Sequence, residues 1–217
     1  MLVLAHRGLH AAHPENTLAA FAAALAAGAD GCETDVRVAG DGAAVLFHDA
    51  TSARGHPVAA LSRAGLSRDQ GYDVPTLEEV LHALPGAFWN LELKEPGALA
   101  AIERVMALLA PERLLVSSFI HDTAMACARD LGLPSGLLVA QRPASVRELL
   151  SAFAPWPQLR TVVWQDDAVD EDLLGPARSE GWGSWVYGTA AAAQHRRWRA
   201  AGVAAIITDY PQMAREA

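Results

Sequence analysis

Four short polar clusters hold the residues with which this chain could do chemistry: His6-Arg7-Gly8, Glu33-x-Asp35, His48-Asp49 and Glu92-x-Lys94. Glu33 and Asp35 stand two apart in a strand-like run, so both side chains leave the same face. Glu92 and Lys94 repeat that spacing. Glu33, Asp35 and Glu92 together offer an oxygen-rich site for one divalent ion, Mg²⁺ or Ca²⁺. Zn²⁺ fits less well, because no Cys or clustered His accompanies the acids. Arg7 can fork onto two oxygens of a phosphate, and Lys94 can act on it as a point charge. His6 and His48 supply imidazoles that move protons near neutral pH, and cleavage of a phosphodiester needs both an acid and a base. The combined set suits metal-assisted cleavage of a phosphate ester.

Each cluster lies in or just past a short apolar run, where a strand hands over to a loop. Strands are predicted at Leu2–Ala5, Gly31–Val38, Phe88–Leu93, Leu114–Ser117, Ser135–Val139, Thr161–Trp164, Ser184–Tyr187 and Ala204–Thr208. Between them lie helical patterns at Thr17–Gly28, Leu77–Leu84, Ala98–Ala110, Thr123–Leu131, Val146–Phe153, Glu171–Gly181 and Ala191–Ala201. Asn16 or Thr17 can cap the first helix and Gly28 can close it. Eight strands alternating with helices predict an α/β fold of the (β/α)₈ TIM-barrel type, with an open doubly wound sheet as the alternative. No linker interrupts the alternation, so residues 1–217 read as one domain.

One embellishment follows the second strand. Gly40-Asp41-Gly42 is a turn signal, predicting a hairpin between Glu33–Val38 and Ala44–Phe47. Folding back about Asp41 brings His48 beside Thr34, next to the paired acids. The insertion at residues 50–74 is rich in Ser, Arg and Gly, and is expected to form a small irregular lid.

At 217 residues, 52% hydrophobic and 19% charged, the composition is that of a globular chain with one sizeable core. A formal net charge of −8 argues against general nucleic-acid binding, which needs a basic face. Cys32 and Cys127 have no metal-ligand spacing and read as buried, reduced thiols. No run is long and apolar enough to span a bilayer, and Met1 to Ala5 is too short for a signal-peptide core. A soluble, cytoplasmic protein acting on a small-molecule phosphodiester is expected.

The motifs resemble those of the glycerophosphodiester phosphodiesterase family. The likeness runs through His6-Arg7-Gly8, Pro14-Glu15-Asn16-Thr17, Gly28 to Val36, His48-Asp49, Pro75 to Val80, Glu92-Leu93-Lys94, Ser118-Phe119 and Gly202 through Thr208-Asp209-Tyr210-Pro211. The resemblance implies a (β/α)₈ barrel that hydrolyses glycerophosphodiesters to glycerol 3-phosphate and an alcohol. It also implies metal binding by Glu33, Asp35 and Glu92, acid/base roles for His6 and His48, and phosphate contacts from Arg7 and Lys94. In the family's mechanism the 2-hydroxyl of the glycerol attacks phosphorus, and water then opens the cyclic phosphate.

Three features depart from the family. Trp185-Val186-Tyr187-Gly188 replaces the usual Trp-Thr-Val-Asn, so polar contacts from that strand do not carry over, although Trp185 remains a candidate for packing against the glycerol carbons. The insertion after Asp49 is short, which points to a different choice of alcohol. His10 and His13 are extra polar groups in the first loop. The nearest alternative is a lysophospholipase D-like enzyme acting on lysophospholipids. A barrel lyase or aldolase with a metal-stabilised enolate would not call for paired histidines with Arg7 and Lys94. A catalytically dead binding module is disfavoured by the complete set.

Overall fold

The structure, a computed structural model, describes residues 1–153 and 155–216. Eight parallel strands among these residues close into a barrel: β1 (Leu2–His6), β2 (Gly31–Val38), β4 (Phe88–Leu93), β5 (Leu114–Ser118), β6 (Ser135–Val139), β7 (Leu159–Gln165), β8 (Gly183–Thr189) and β9 (Ala205–Thr208). Closure comes from β1, which pairs with β2 on one side and β9 on the other. A short antiparallel strand, β3 (Ala44–Leu46), folds back on β2 as the hairpin predicts, with Val36 opposite Leu46 and Val38 opposite Ala44.

Helices α1 (Leu18–Ala26), α2 (Arg63–Gln70), α3 (Leu77–Ala83), α4 (Ala98–Val105), α5 (His121–Ala126), α6 (Val146–Ser151), α7 (Glu171–Ser179), α8 (Ala192–Ala200) and α9 (Pro211–Glu216) follow in chain order. Local chemistry sets their ends. Thr17 accepts a hydrogen bond from Ala20 N to cap α1, and Thr76 and Glu79 form a reciprocal capping box on α3. The pattern at Ala98–Ala110 ends early, tightening to a 3₁₀ turn at Met106–Leu108. That at Thr123–Leu131 begins at His121 and widens into a π turn at Cys127–Leu131. No helix among the described residues is long and apolar enough to cross a membrane.

The alternation along each strand separates two cores. Outward residues such as Cys32, Val36, Trp89, Leu91 and Leu93 pack under the helices, with Phe21 edge-on to Trp89 at 5.2 Å between ring centres. Such an aromatic pair adds about 0.5–1.5 kcal/mol beyond its burial. Inward residues Leu4, Leu115, Leu138, Val163, Trp185, Ala205 and Ile207 cluster inside the barrel. Farther along the same inward rows stand His6, Glu33, Asp35, Asn90, Glu92, Ser117 and Tyr187. Apolar packing therefore seals the barrel behind a polar mouth at the strand C-termini, where barrels of this fold carry their sites.

Residues 50–74 correct an expectation. The segment is not irregular: it holds a 3₁₀ turn at Val58–Ala60 and α2, capped by Ser62 and closed by Gly71 in the left-handed conformation. Val58, Leu66 and Val74 pack with Ala39, Val45 and Phe47 in a small core beside the hairpin. Burial of this apolar set packs the insertion against the hairpin.

Candidate active site

Strand register assembles the acids. Across the ladders His6 lies opposite Glu33, Glu33 opposite Asn90, and Asp35 opposite Glu92. Glu33, Asp35 and Glu92 are all buried and each offers a carboxylate oxygen within 4.8 Å of the other two. Lys94, just past β4, places Nζ 2.6 Å from Glu92 Oε1 and 3.3 Å from Asp35 Oδ1. Arg7 Nε stands 3.2 Å from Asp35 Oδ2, while its Nη1 reaches both oxygens of Glu15 at 3.1 Å. Glu15, outside the four polar clusters, thus shares Arg7 with Asp35.

The first loop holds this arrangement at a backbone cost. Arg7 and Asn16 both adopt positive φ, 55° and 56°, a region that costs a non-glycine residue about 1–3 kcal/mol. Gly8 between them has no alternative, since a Cβ there would lie 2.6 Å from the carbonyl carbon of Ala20. The left-handed turn lets Asn16 donate to Asp35 Oδ2 at 2.8 Å and accept from Thr34 Oγ1 at 2.7 Å. Asp35 is thereby gripped from three sides.

The three carboxyls do not titrate alike. Burial drives Glu33 well above the usual carboxylate range, and the charges of Asp35 and Glu92 push it further. Burial also raises Glu92, with Asp35 adding to it against the pull of Lys94. For Asp35 burial acts upward too, but Lys94, Arg7 and the Asn16 hydrogen bond outweigh it and hold it low. Three acids this close cannot all ionise without a compensating cation. Glu33 Oε2 is buried and has no hydrogen-bond partner among the described residues. The oxygen-only donor set and this orphaned atom fit Mg²⁺ or Ca²⁺.

Both histidines border the same cavity, of about 310 Å³, which is also lined by Arg7, Glu33, Glu92 and Lys94. Phe47 N donates to Asp35 O at 3.0 Å, continuing the hairpin ladder so that His48 falls next to Thr34 as its register requires. His48 Nδ1 lies 2.8 Å from Asp49 Oδ1, and Arg37 Nε donates to the His48 carbonyl at 2.9 Å. His6 Nδ1 lies 2.7 Å from Asp209 Oδ1, with its Nε2 3.9 Å from Glu33 Oε2.

Trp185 does not border the cavity. It is 6% exposed and sits in the interior apolar cluster, its ring 5.8 Å from that of Phe88. Tyr187, two residues on along the same face, takes the place at the wall, beside Phe119, Leu138 and Ile207. The lining contains no residue from 50–74. Reading the motifs by residue type also left Glu15, His10 and Asp209 without roles and offered Asn16 only as a helix cap, a place that Thr17 takes. Signals for Glu15, Asn16 and Asp209 were present in Pro14-Glu15-Asn16-Thr17 and Thr208-Asp209-Tyr210-Pro211, but Asn16 meets Asp35 and Asp209 meets His6 and His10 only through the fold.

Barrel, register and polar mouth define a (β/α)₈ protein with its candidate site at the C-terminal ends of the strands. The sequence profile of the glycerophosphoryl diester phosphodiesterase family matches residues 6–213, and the chain belongs to that family. It is 36% identical over 149 residues to an uncharacterised Bacillus subtilis protein, covering 58% of this chain and 61% of the relative. It is 33% identical over 149 residues to a glycerophosphodiester phosphodiesterase of Bacillus altitudinis, covering 56% and 59%. The chain thus spans about three fifths of these curated relatives. Among solved structures, the glycerophosphodiester phosphodiesterase of Thermotoga maritima superposes with a TM-score of 0.87 at 25% identity, covering 100% of this chain and 97% of that one. An Oleispira antarctica phosphodiesterase in complex with the product sn-glycerol-3-phosphate gives 0.86 at 25% identity, covering 100% and 96%.

Proposed function

We propose that the protein hydrolyses glycerophosphodiesters to glycerol 3-phosphate and an alcohol, with one divalent ion and two histidines. The observation that carries this reading is the convergence of Glu33, Asp35 and Glu92 within one 4.8 Å cluster beside a cavity also lined by His6, His48, Arg7 and Lys94. Family membership and the product bound in the Oleispira antarctica relative support the same substrate class.

In this reading Glu33, Asp35 and Glu92 hold the ion, Mg²⁺ or Ca²⁺. Such an ion, when bound, supplies Lewis-acid stabilisation of charge on phosphate oxygens. Arg7 and Lys94 bind the remaining phosphate oxygens and oppose the charge that grows as phosphorus becomes pentacoordinate. One of His6 and His48 takes the proton from the attacking hydroxyl, and the other gives a proton to the departing alcohol oxygen. The apolar wall of Phe119, Leu138, Tyr187 and Ile207 excludes water from one side of the cavity. This wall takes over the selection of the alcohol that a lid at 50–74 was expected to make.

A coupled assay for glycerol 3-phosphate with a panel of glycerophosphodiesters tests the reading. Activity should vanish after exhaustive chelation and return with Mg²⁺ or Ca²⁺; full activity after chelation would remove the metal from the scheme. A lysophospholipid arm belongs in the panel, because Phe119 and the adjacent Ile120 are 44% and 40% exposed at the end of β5. Preference for that arm would favour the lysophospholipase D-like reading.

A further inference from the structure

We infer that Asp209, braced by His10, is the positioning residue that presents His6 to the cavity, an assignment that rests on the phosphodiesterase reading above. Asp209 Oδ1 lies 2.7 Å from His6 Nδ1 and 3.1 Å from His10 Nε2. An ionised carboxylate only accepts, so both ring nitrogens carry hydrogen. The proton of neutral His6 is then at Nδ1, and its lone pair is at Nε2, the nitrogen nearest Glu33. When His6 takes up a second proton, the same carboxylate stabilises the imidazolium. This is the division of labour between an orienting acid and a working histidine seen in catalytic triads.

The surroundings make Asp209 a rigid anchor. Its two chain neighbours are tied to one hydroxyl: Thr208 Oγ1 donates to Thr189 O at 2.6 Å and accepts from Tyr210 N at 3.1 Å. The fully buried His195 places Nε2 3.2 Å from the same oxygen. The hydrogen bond from His6, aided by that from His10, pulls the Asp209 carboxyl down to about 2, so it stays ionised across the working pH range. His10 is not among the residues lining the cavity, and its ring meets that of His6 edge-on at 6.3 Å, so it acts through Asp209. The partner of His48 is built differently. Asp49 is its chain neighbour, with a side chain 70% exposed against 42% for Asp209, and no second histidine among the described residues braces it, so water competes more for that contact.

One rival use of the trio is metal binding, since His6, His10 and Asp209 offer ligand atoms within 4.8 Å of one another. The experiment separates the two uses. Asp209→Asn, His10→Ala and His10→Gln are compared with wild type by ¹⁵N NMR of the imidazole nitrogens, by kcat and KM on sn-glycero-3-phosphoethanolamine, and by titration with Zn²⁺ alone. In wild type His6 should show a protonated Nδ1, and in Asp209→Asn a mixture of tautomers. The same variant should lose kcat on the order of 10²–10⁴ while KM moves far less. His10→Ala should lose kcat about threefold to tenfold, the worth of one supporting hydrogen bond. His10→Gln, which keeps a donor, should recover most of it. An unchanged His6 tautomer in Asp209→Asn would overturn the assignment. So would an effect confined to KM, or stoichiometric Zn²⁺ binding that His10→Ala abolishes. Should wild type cleave no phosphodiester, the functional reading fails, while the tautomer comparison still decides whether Asp209 sets the ring.

Discussion

Asp35 and Glu92 stand directly opposite each other across the β2–β4 ladder, both buried, with Lys94 Nζ between their carboxylates. Lys94 therefore neutralises a buried acid pair, a duty it would add to holding phosphate in the function proposed above. Lys94→Met should raise KM and also destabilise the metal-free protein by about 3–5 kcal/mol, the usual cost of removing one partner from a buried ion pair. Saturating Mg²⁺ should return part of that stability, because it binds only the folded acids. Urea unfolding with and without Mg²⁺ checks this; equal losses in both conditions would mean that Lys94 and the ion do not share the acids.

Trp185 and Tyr187 lie two apart on the same face of β8 but in different surroundings, one in the interior core and one at the cavity wall. Trp185→Ala should cost about 3–5 kcal/mol through the cavity it leaves, with KM of the folded protein near wild type. Tyr187→Ala should do the reverse, sparing most of the stability and raising KM. Paired unfolding and kinetic measurements distinguish them; a large KM effect at Trp185 would return it to the substrate.

The sequence made the barrel readable because apolar runs with period two mark strands whatever their partners. β2, β4 and β6 coincide with the predicted segments. β7 and β8 run longer than predicted, since Gln165 pairs with Tyr187 and Thr161 with Gly183 in the ladder regardless of polarity. Helix α2 was unreadable by periodicity: only Gly65 and Leu66 are buried in it, and its limits come from the Ser62 cap and Gly71. The paired acids were visible as i, i+2 spacing. The link from His6 to Asp209 spans 203 positions and exists only because β1 closes against β9. No local signal carries that contact.

Cys127 gives a pH prediction remote from the acids. It is fully buried, and burial pushes its thiol up to about 11. The unfolded thiol releases its proton near pH 8.5, and the folded one holds it to about 11. The unfolded state therefore binds fewer protons in that window, so stability is full below it and falls as pH rises through it. The slope is about 1.4 kcal/mol per pH unit for one such group. Unfolding free energies from pH 8 upward should decline less steeply in Cys127→Ala than in wild type. Equal slopes would mean that the thiol is not shielded.

The two histidines should differ in how they respond to the leaving group. His6→Ala and His48→Ala should each lower turnover on the order of 10²–10⁴. Affinity should change much less, since in the proposed function Arg7, Lys94 and the ion hold the phosphate independently. A nitrophenyl ester departs without protonation, so it should partly rescue the variant lacking the acid and leave the variant lacking the base impaired. The doubly held Asp209 carboxylate keeps the His6 lone pair at Nε2, which suits a base, so the rescue is expected for His48→Ala. Steady-state rates on both substrates decide this. Rescue of His6→Ala in its place would exchange the two roles, and near-normal turnover in either variant would remove that histidine from proton transfer.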